Sequence, residues 1–270
     1  MNSILTPALN HVYWIGGSPC SGKSSIAAAL AAEFGFAIYS CDAAFYRHSE
    51  IVDPRLHPTF HRLSRASCDE LWMRPVEIQV AEEVALYNEE FSLILNDLGA
   101  MPGDIPILSE GAALMPHLID DLGISRDRAI WIVPWSTFQR EHYSRREWRH
   151  RVLASCTDPD AAWTNWMERD IGFAGFVRDE AFRLERPCIV VDGAQSLDEL
   201  TRVVRSQFGI GEEGVGRGRR CLPAGPGANS RGQPTVGEEQ RRDAAGDRLP
   251  CITQSPAGWI ISDVRAQGGA

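Results

Sequence analysis

The sequence predicts an α/β fold built on a parallel sheet with helices on both faces. Three observations support this: five short apolar runs alternate with stretches of helical periodicity, runs such as WIVP and CIVV are continuously apolar, as strands buried on both faces are, and a glycine-rich loop joins the first run to the first helical stretch. Strands separated by helices imply parallel pairing.

In chain order, HVYWIGG (11–17) predicts the first strand and SSIAAALAAEFG (24–35) a helix ended by Gly35. FAIYSCD (36–42) is the second strand. Residues 60–99 are mostly helical, most clearly at VEIQVAEEVALYNEEFSLILNDLG. IPILSEG (105–111) and RAIWIVP (128–134) give the third and fourth strands. Two long helical patterns follow, FQREHYSRREWRHRVLASC and DAAWTNWMERDIGFAGFVRDEAFRLE, the second with Trp163 and Trp166 on its core side. PCIVVDG (187–193) is the fifth strand, and SLDELTRVVRSQF the last helix.

The chain has 270 residues, 44% of them hydrophobic, enough for a sizeable core without disulfides or structural metal. Composition changes near residue 210: residues 210–270 hold 12 of the 24 glycines and lack periodicity. They are expected to form a disordered or loosely attached tail, with CITQSPAGWIISDV as a possible short strand. The domain is thus 1–209 and the tail 210–270. The seven cysteines contain no C-x-x-C pair and their number is odd. No disulfide framework or zinc site is read from them, and a reducing, cytoplasmic setting is expected. No signal peptide or membrane span is expected. A net charge of −9 speaks against general affinity for nucleic acid or anionic membranes. Oligomeric state is left open.

Of 27 basic residues only Lys23 is lysine. A bias toward arginine explains the other 26, but not the survivor. A compact ammonium and a planar guanidinium are not interchangeable, so the chemistry of this lysine is needed.

Lys23 falls within Gly17-Ser18-Pro19-Cys20-Ser21-Gly22-Lys23-Ser24, followed by Ser25. This is G-x-x-x-x-G-K-S between a predicted strand and a predicted helix, the setting of a phosphate-binding P-loop. Glycines let the backbone N–H groups turn inward toward phosphate oxygens, and the helix adds its positive end. Lys23 is expected at the β- and γ-phosphates and Ser24 at Mg²⁺, with ATP as nucleotide.

Asp42 follows the second strand, at the sheet edge where α/β ligands bind. Its carboxylate can take the proton of an attacking hydroxyl, or cap a helix. Glu110, ending the third strand, can support the metal through water, contact the acceptor, or cap a helix near Ala112; Gly111 beside it lets a substrate approach the backbone. Arg145, Arg146 and Arg149 lie on an arginine-dense helical stretch suited to a lid that neutralises phosphoryl charge, with Glu141 and Glu147 available as competing partners. Asp192, after the fifth strand, either borders the nucleotide base or serves only as a turn residue. Arg47, Arg55, Arg62, Arg65 and Arg74 lie where an acceptor would dock, though scattered arginines are more often surface residues.

Residues 12–208 resemble the small-molecule kinases of the P-loop superfamily, such as nucleoside monophosphate, shikimate and gluconate kinases. The stretch IGGSPCSGKSS with Asp42 after the second strand is also similar to chloramphenicol phosphotransferase. The resemblance implies a P-loop NTPase three-layer sandwich with a five-stranded parallel sheet of order 2-3-1-4-5, an acceptor-binding helical region at about 43–100 and a lid at about 138–152. It implies an ATP- and Mg²⁺-dependent kinase acting on a small soluble molecule, with an acid at the place of Asp42 as base or acceptor ligand. The alternatives weighed are a regulatory ATPase using the tail for partners, a nucleoside or nucleotide kinase, and an end-processing nucleic-acid kinase, which the acidic domain disfavours. A GTPase is disfavoured because no N-K-x-D motif is present.

Overall fold

A computed structural model describes residues 9–146 and 148–211. The expected tail and its candidate strand lie outside the described residues. Five parallel strands form one sheet: β1 (Val12–Gly17), β2 (Ala37–Ser40), β3 (Ile107–Glu110), β4 (Ala129–Pro134) and β5 (Cys188–Val191), in the order β2-β3-β1-β4-β5. That is the expected order. The central strands β1, β3 and β4 are buried at every position, as strands covered on both faces must be. The edge strand β5 is not: Val190 stays exposed although its CIVV run is as apolar as the others. Continuous apolarity thus marks burial in the middle of the sheet but not at its edge.

One face of the sheet carries α1 (Lys23–Phe34) and, from the end of the chain, the helix Leu197–Gln207, over Ile15, Leu30, Ile132 and Val204. The other face carries a larger core around Trp14, Trp131, Leu114 and Phe173. Between β2 and β3 run α2 (Cys41–Ile51), α3 (Pro58–Leu63), α4 (Cys68–Trp72) and α5 (Val76–Ala100). After β3 come α6 (Pro116–Asp121), a short 3₁₀ turn at Arg126–Arg128, and, beyond β4, α7 (Ser136–Ser144), α8 (Arg149–Leu153) and α9 (Pro159–Arg183). The helix after β5 is α10.

Two expectations are corrected. The second strand ends at Ser40, and Cys41–Asp42 already belong to the first turn of α2. The arginine-dense stretch is not one helix: it breaks after Ser144 and resumes at Arg149. Trp148 is buried against Tyr143, so packing of a large aromatic overrides the helical pattern there.

A disulfide joins Cys68 at the start of α4 to Cys156 after α8, with Cα atoms 5.0 Å apart. Nothing in the cysteine spacing pointed to this pair: its members are 88 residues apart, and only the fold brings them together. Beside it, Asp69 accepts hydrogen bonds from the Thr157 backbone N–H (2.8 Å) and hydroxyl. Among the described residues no helix is long and apolar enough to cross a membrane.

Candidate functional site

β1 runs into the 17–24 loop and then into α1. Gly17 has φ +130°, and a Cβ there would overlap the Ile132 carbonyl on β4, so only glycine permits the turn. Cys20 and Gly22 also have positive φ, which curls the loop back on itself. α1 begins with no side-chain cap at Gly22. Its first N–H groups are therefore open to an anion, and the helix dipole favours one there. α10, by contrast, is closed by a Ser196–Glu199 capping box.

Lys23 is buried inside this curl, donating to the Ser18 carbonyl (2.6 Å) and to Ser21 Oγ (3.3 Å). Burial lowers the ammonium's pKa, while Glu110 and Asp42 oppose the shift. Ser24 Oγ donates to Glu110 Oε2 at 2.9 Å, joining residues 86 apart in sequence. β3 makes this bond possible by pairing in parallel with β1, which brings Glu110 level with Ile15. Gly111, at φ +152°, admits the start of α2: a Cβ there would lie 2.8 Å from Cys41 Sγ. The missing side chain makes room for Cys41 rather than for a substrate, which corrects the expectation from sequence.

Asp42 sits in the first turn of α2, half-buried. Burial and the neighbouring Glu110 push its carboxyl up to about 7, against the pull of Lys23. The N-cap position belongs to Ser40, so Asp42 is not the cap considered from sequence. Neither is Glu110, because the next helix begins only at Pro116.

The three arginines expected on a lid separate. Arg146, in the break between α7 and α8, reaches the loop: its guanidinium donates to Cys20 Sγ at 3.8 Å and lies over the Tyr143 and Trp148 rings. Arg145 is exposed and paired with Glu141 one turn before it, the salt-bridged surface role. Arg149 stacks on Trp163 at 4.5 Å. Asp192 is exposed and accepts from the Ala194 N–H at 2.9 Å, a turn-stabilising bond. In the segment where an acceptor was expected to dock, Arg47 pairs with Asp97, Arg55 with Asp53, and Arg62 and Arg74 with Glu82, while Arg65 donates to the His61 carbonyl. Apart from the half-buried Arg74–Glu82 pair these arginines are exposed, and none is gathered at the loop.

Sequence reasoning missed a second layer. α5 and α9 pack along each other, and between them Arg169 Nε lies 3.3 Å from Glu83 Oε2 and 2.8 Å from Asp170 Oδ1. Tyr87 donates to Glu83 Oε1 at 3.3 Å. All four residues are buried. Burial raises Glu83 to about 8, against the pull of Arg169. A charged Glu-Arg-Asp triplet inside two amphipathic patterns was the available signal; on sequence alone it is indistinguishable from a solvated helix edge.

Among the described residues no group of three or more His, Cys, Asp or Glu side chains is arranged to hold a metal ion. A nucleotide-borne Mg²⁺ needs less: one or two protein oxygens, with phosphates and waters completing its shell. Ser24 and Glu110 supply such oxygens. Compared with known proteins, the chain matches no family model and no curated protein.

Proposed function

We propose that the protein is an ATP-dependent kinase of the P-loop kind, transferring the γ-phosphoryl group to a hydroxyl of a small soluble molecule. The observation that carries this reading is the uncapped start of α1 with Lys23 folded into the curl and Ser24 bonded to Glu110 across the sheet. Nothing in the packing of a plain strand–turn–helix requires a buried ammonium there.

The loop amides and the α1 N-terminus hold the β-phosphate. Lys23 exchanges the Ser18 carbonyl for phosphate oxygens, a neutral acceptor for an anionic one. Ser24 Oγ, and Glu110 through water, would hold the Mg²⁺ that accompanies the nucleotide, and that ion would supply positive charge to the phosphates. The acceptor oxygen attacks the γ-phosphorus, the bond to the β–γ bridging oxygen breaks, and ADP leaves with those electrons. The hydroxyl proton passes to Asp42, whose raised pKa makes it an effective base near neutrality. Arg146 lies at the loop to balance charge on the transferring group.

Isothermal titration with Mg²⁺ and ATP tests the core of this reading. Binding by the native chain and its loss in Lys23→Ala, with an unchanged circular-dichroism spectrum, is the expected result. No heat of association with well-folded native protein overturns it.

A further inference from the structure

Two adjacent carboxylates on α5 hold two different helices. Glu89 accepts from the Thr59 and Phe60 N–H groups at 3.0 and 2.8 Å, at the start of α3. Glu90 meets α2 instead: its Oε1 lies 2.9 Å from His48 Nδ1. The other ring nitrogen, Nε2, lies 3.1 Å from Oδ2 of Asp97, about two turns further along α5. His48 and Glu90 are buried, while Asp97 is half-buried. The same Asp97 oxygen accepts from the Tyr39 hydroxyl of β2 at 3.0 Å and from Arg47 Nη2 at 2.8 Å. An imidazole is thus bridged between two acids, in a place that the loop chemistry does not use.

Each of the two imidazole contacts needs a proton between nitrogen and oxygen, and a neutral ring supplies only one. The second proton is either the ring's own, giving an imidazolium between two carboxylates, or that of Glu90, donated to Nδ1. In both arrangements the three groups carry one net negative charge, which Arg47 beside Asp97 balances. The proton belongs to the cluster rather than to one residue. Burial favours its retention by raising Glu90, against the pull of His48. Without it a buried carboxylate faces a ring lone pair, and neither is open to water. The other ionisable groups around the bridge are Cys41 and Asp42 on α2, Tyr87 on α5 and Tyr39 on β2, all of which the charge of Glu90 raises. Arg65, after α3, reaches the Ser49 carbonyl at 3.5 Å.

The bridge bears on the loop site through α2. That helix packs on α5, and His48 is the polar member of its buried face, with Cys41, Ala44 and Phe45. Asp42 stands in its first turn, about 9 Å along the helix axis from His48. A rigid helix carries a displacement at one end to the other. We infer that His48 is a positioning residue: shared between Glu90 and Asp97, it holds α2 against α5, and thus Asp42 beside Lys23 and Glu110, only while the bridge keeps its second proton. The role of Asp42 as base rests on the kinase reading; the bridge itself does not.

Amide hydrogen exchange and imidazole ¹⁵N spectra of the full chain, recorded together from about pH 5 to 9, test this. In the native protein the His48 ring signals should pass through one transition. Across it the protection of residues 45–51, corrected for the intrinsic exchange rate, should fall by roughly tenfold to a hundredfold, the loss of a hydrogen bond to a charged group, while α1 keeps its protection. Glu90→Gln should abolish this fall: the new amide donates to Nδ1 and the ring N–H donates to Asp97, so both contacts survive on a neutral imidazole. A merely space-filling role for His48 predicts no such rescue. Protection of α2 that ignores pH in the native chain, a His48 transition with no change in α2, or a Glu90→Gln variant with the native pH dependence overturns the inference. The first two results come from the native chain, so they stand even if the variant fails to fold. Calorimetry with Mg²⁺ and ATP on the same samples keeps the two readings apart: failure of ATP to bind marks the failure of the kinase reading, and the bridge is then judged on protection alone.

Discussion

Asp42→Asn should make the protein more stable at pH 8 and leave it unchanged at pH 4. The carboxyl titrates near 3.8 in the unfolded chain and about 7 in the native state, raised by burial and by Glu110. A raised acid pKa means the native state holds its proton more tightly. The associated stability is fully present below about 3.8, drains away as pH rises toward 7, and is absent above it. A shift of about three units corresponds to a ceiling of about 4 kcal/mol; partial exposure of Asp42 to water lowers the realised gain to about 1–2 kcal/mol. Asparagine keeps the shape and removes the repulsion with Glu110. Urea melts of both proteins at half-unit steps from pH 4 to 8.5 give the difference directly. It should open between pH 4 and 7 and then stay flat. A variant that is less stable at pH 8, or a gap that does not depend on pH, refutes the account of Asp42 as a carboxylate held against its preference beside Glu110.

Other substitutions separate structure from chemistry. Arg146→Ala should lower turnover by about 10²–10³-fold, while Arg145→Ala, which removes only an exposed pair with Glu141, should stay within about twofold; steady-state kinetics of the pair decides between them. Gly17→Ala places a Cβ 2.7 Å from the Ile132 carbonyl carbon at a φ alanine avoids, so a loss of about 3 kcal/mol or more in chemical denaturation is expected; full stability would mean the loop is not held as described. Cys68→Ser should cost up to about 4.6 kcal/mol, the chain-entropy value for a closed loop of this length, and a thiol reductant should lower the native protein's melting temperature but not the variant's.

The five parallel strands were legible because burial on both faces leaves no polar alternation in the central strands, whereas their order was implied only by the resemblance to P-loop kinases. Lys23 stood out as the sole lysine, Ser24 as the close of the G-x-x-x-x-G-K-S motif, and Glu110 as the end of the third strand. The break between α7 and α8 was not legible, since Arg and Glu at helical spacing continue through it and only the burial of Trp148 against Tyr143 interrupts them. Arg145 and Arg146, adjacent and chemically identical, could not be told apart until the break turned one toward Cys20 and left the other in solvent. The Glu83–Arg169–Asp170 group was invisible for a related reason. Its meaning depends on two helices lying side by side, and nothing local to either helix encodes that.

The segment from Trp135 to Cys156 is pinned at both ends: the Trp135 N–H donates to the Val191 carbonyl at 2.7 Å, and Cys156 is covalently tied to α4. A span fixed twice cannot swing like a door; it can only bow, as a strap does. Its give must come from the non-helical stretch in its middle, and that is the stretch that carries Arg146. Tightening or slackening the strap would therefore move this guanidinium toward or away from the loop while the rest of the surface hardly shifts.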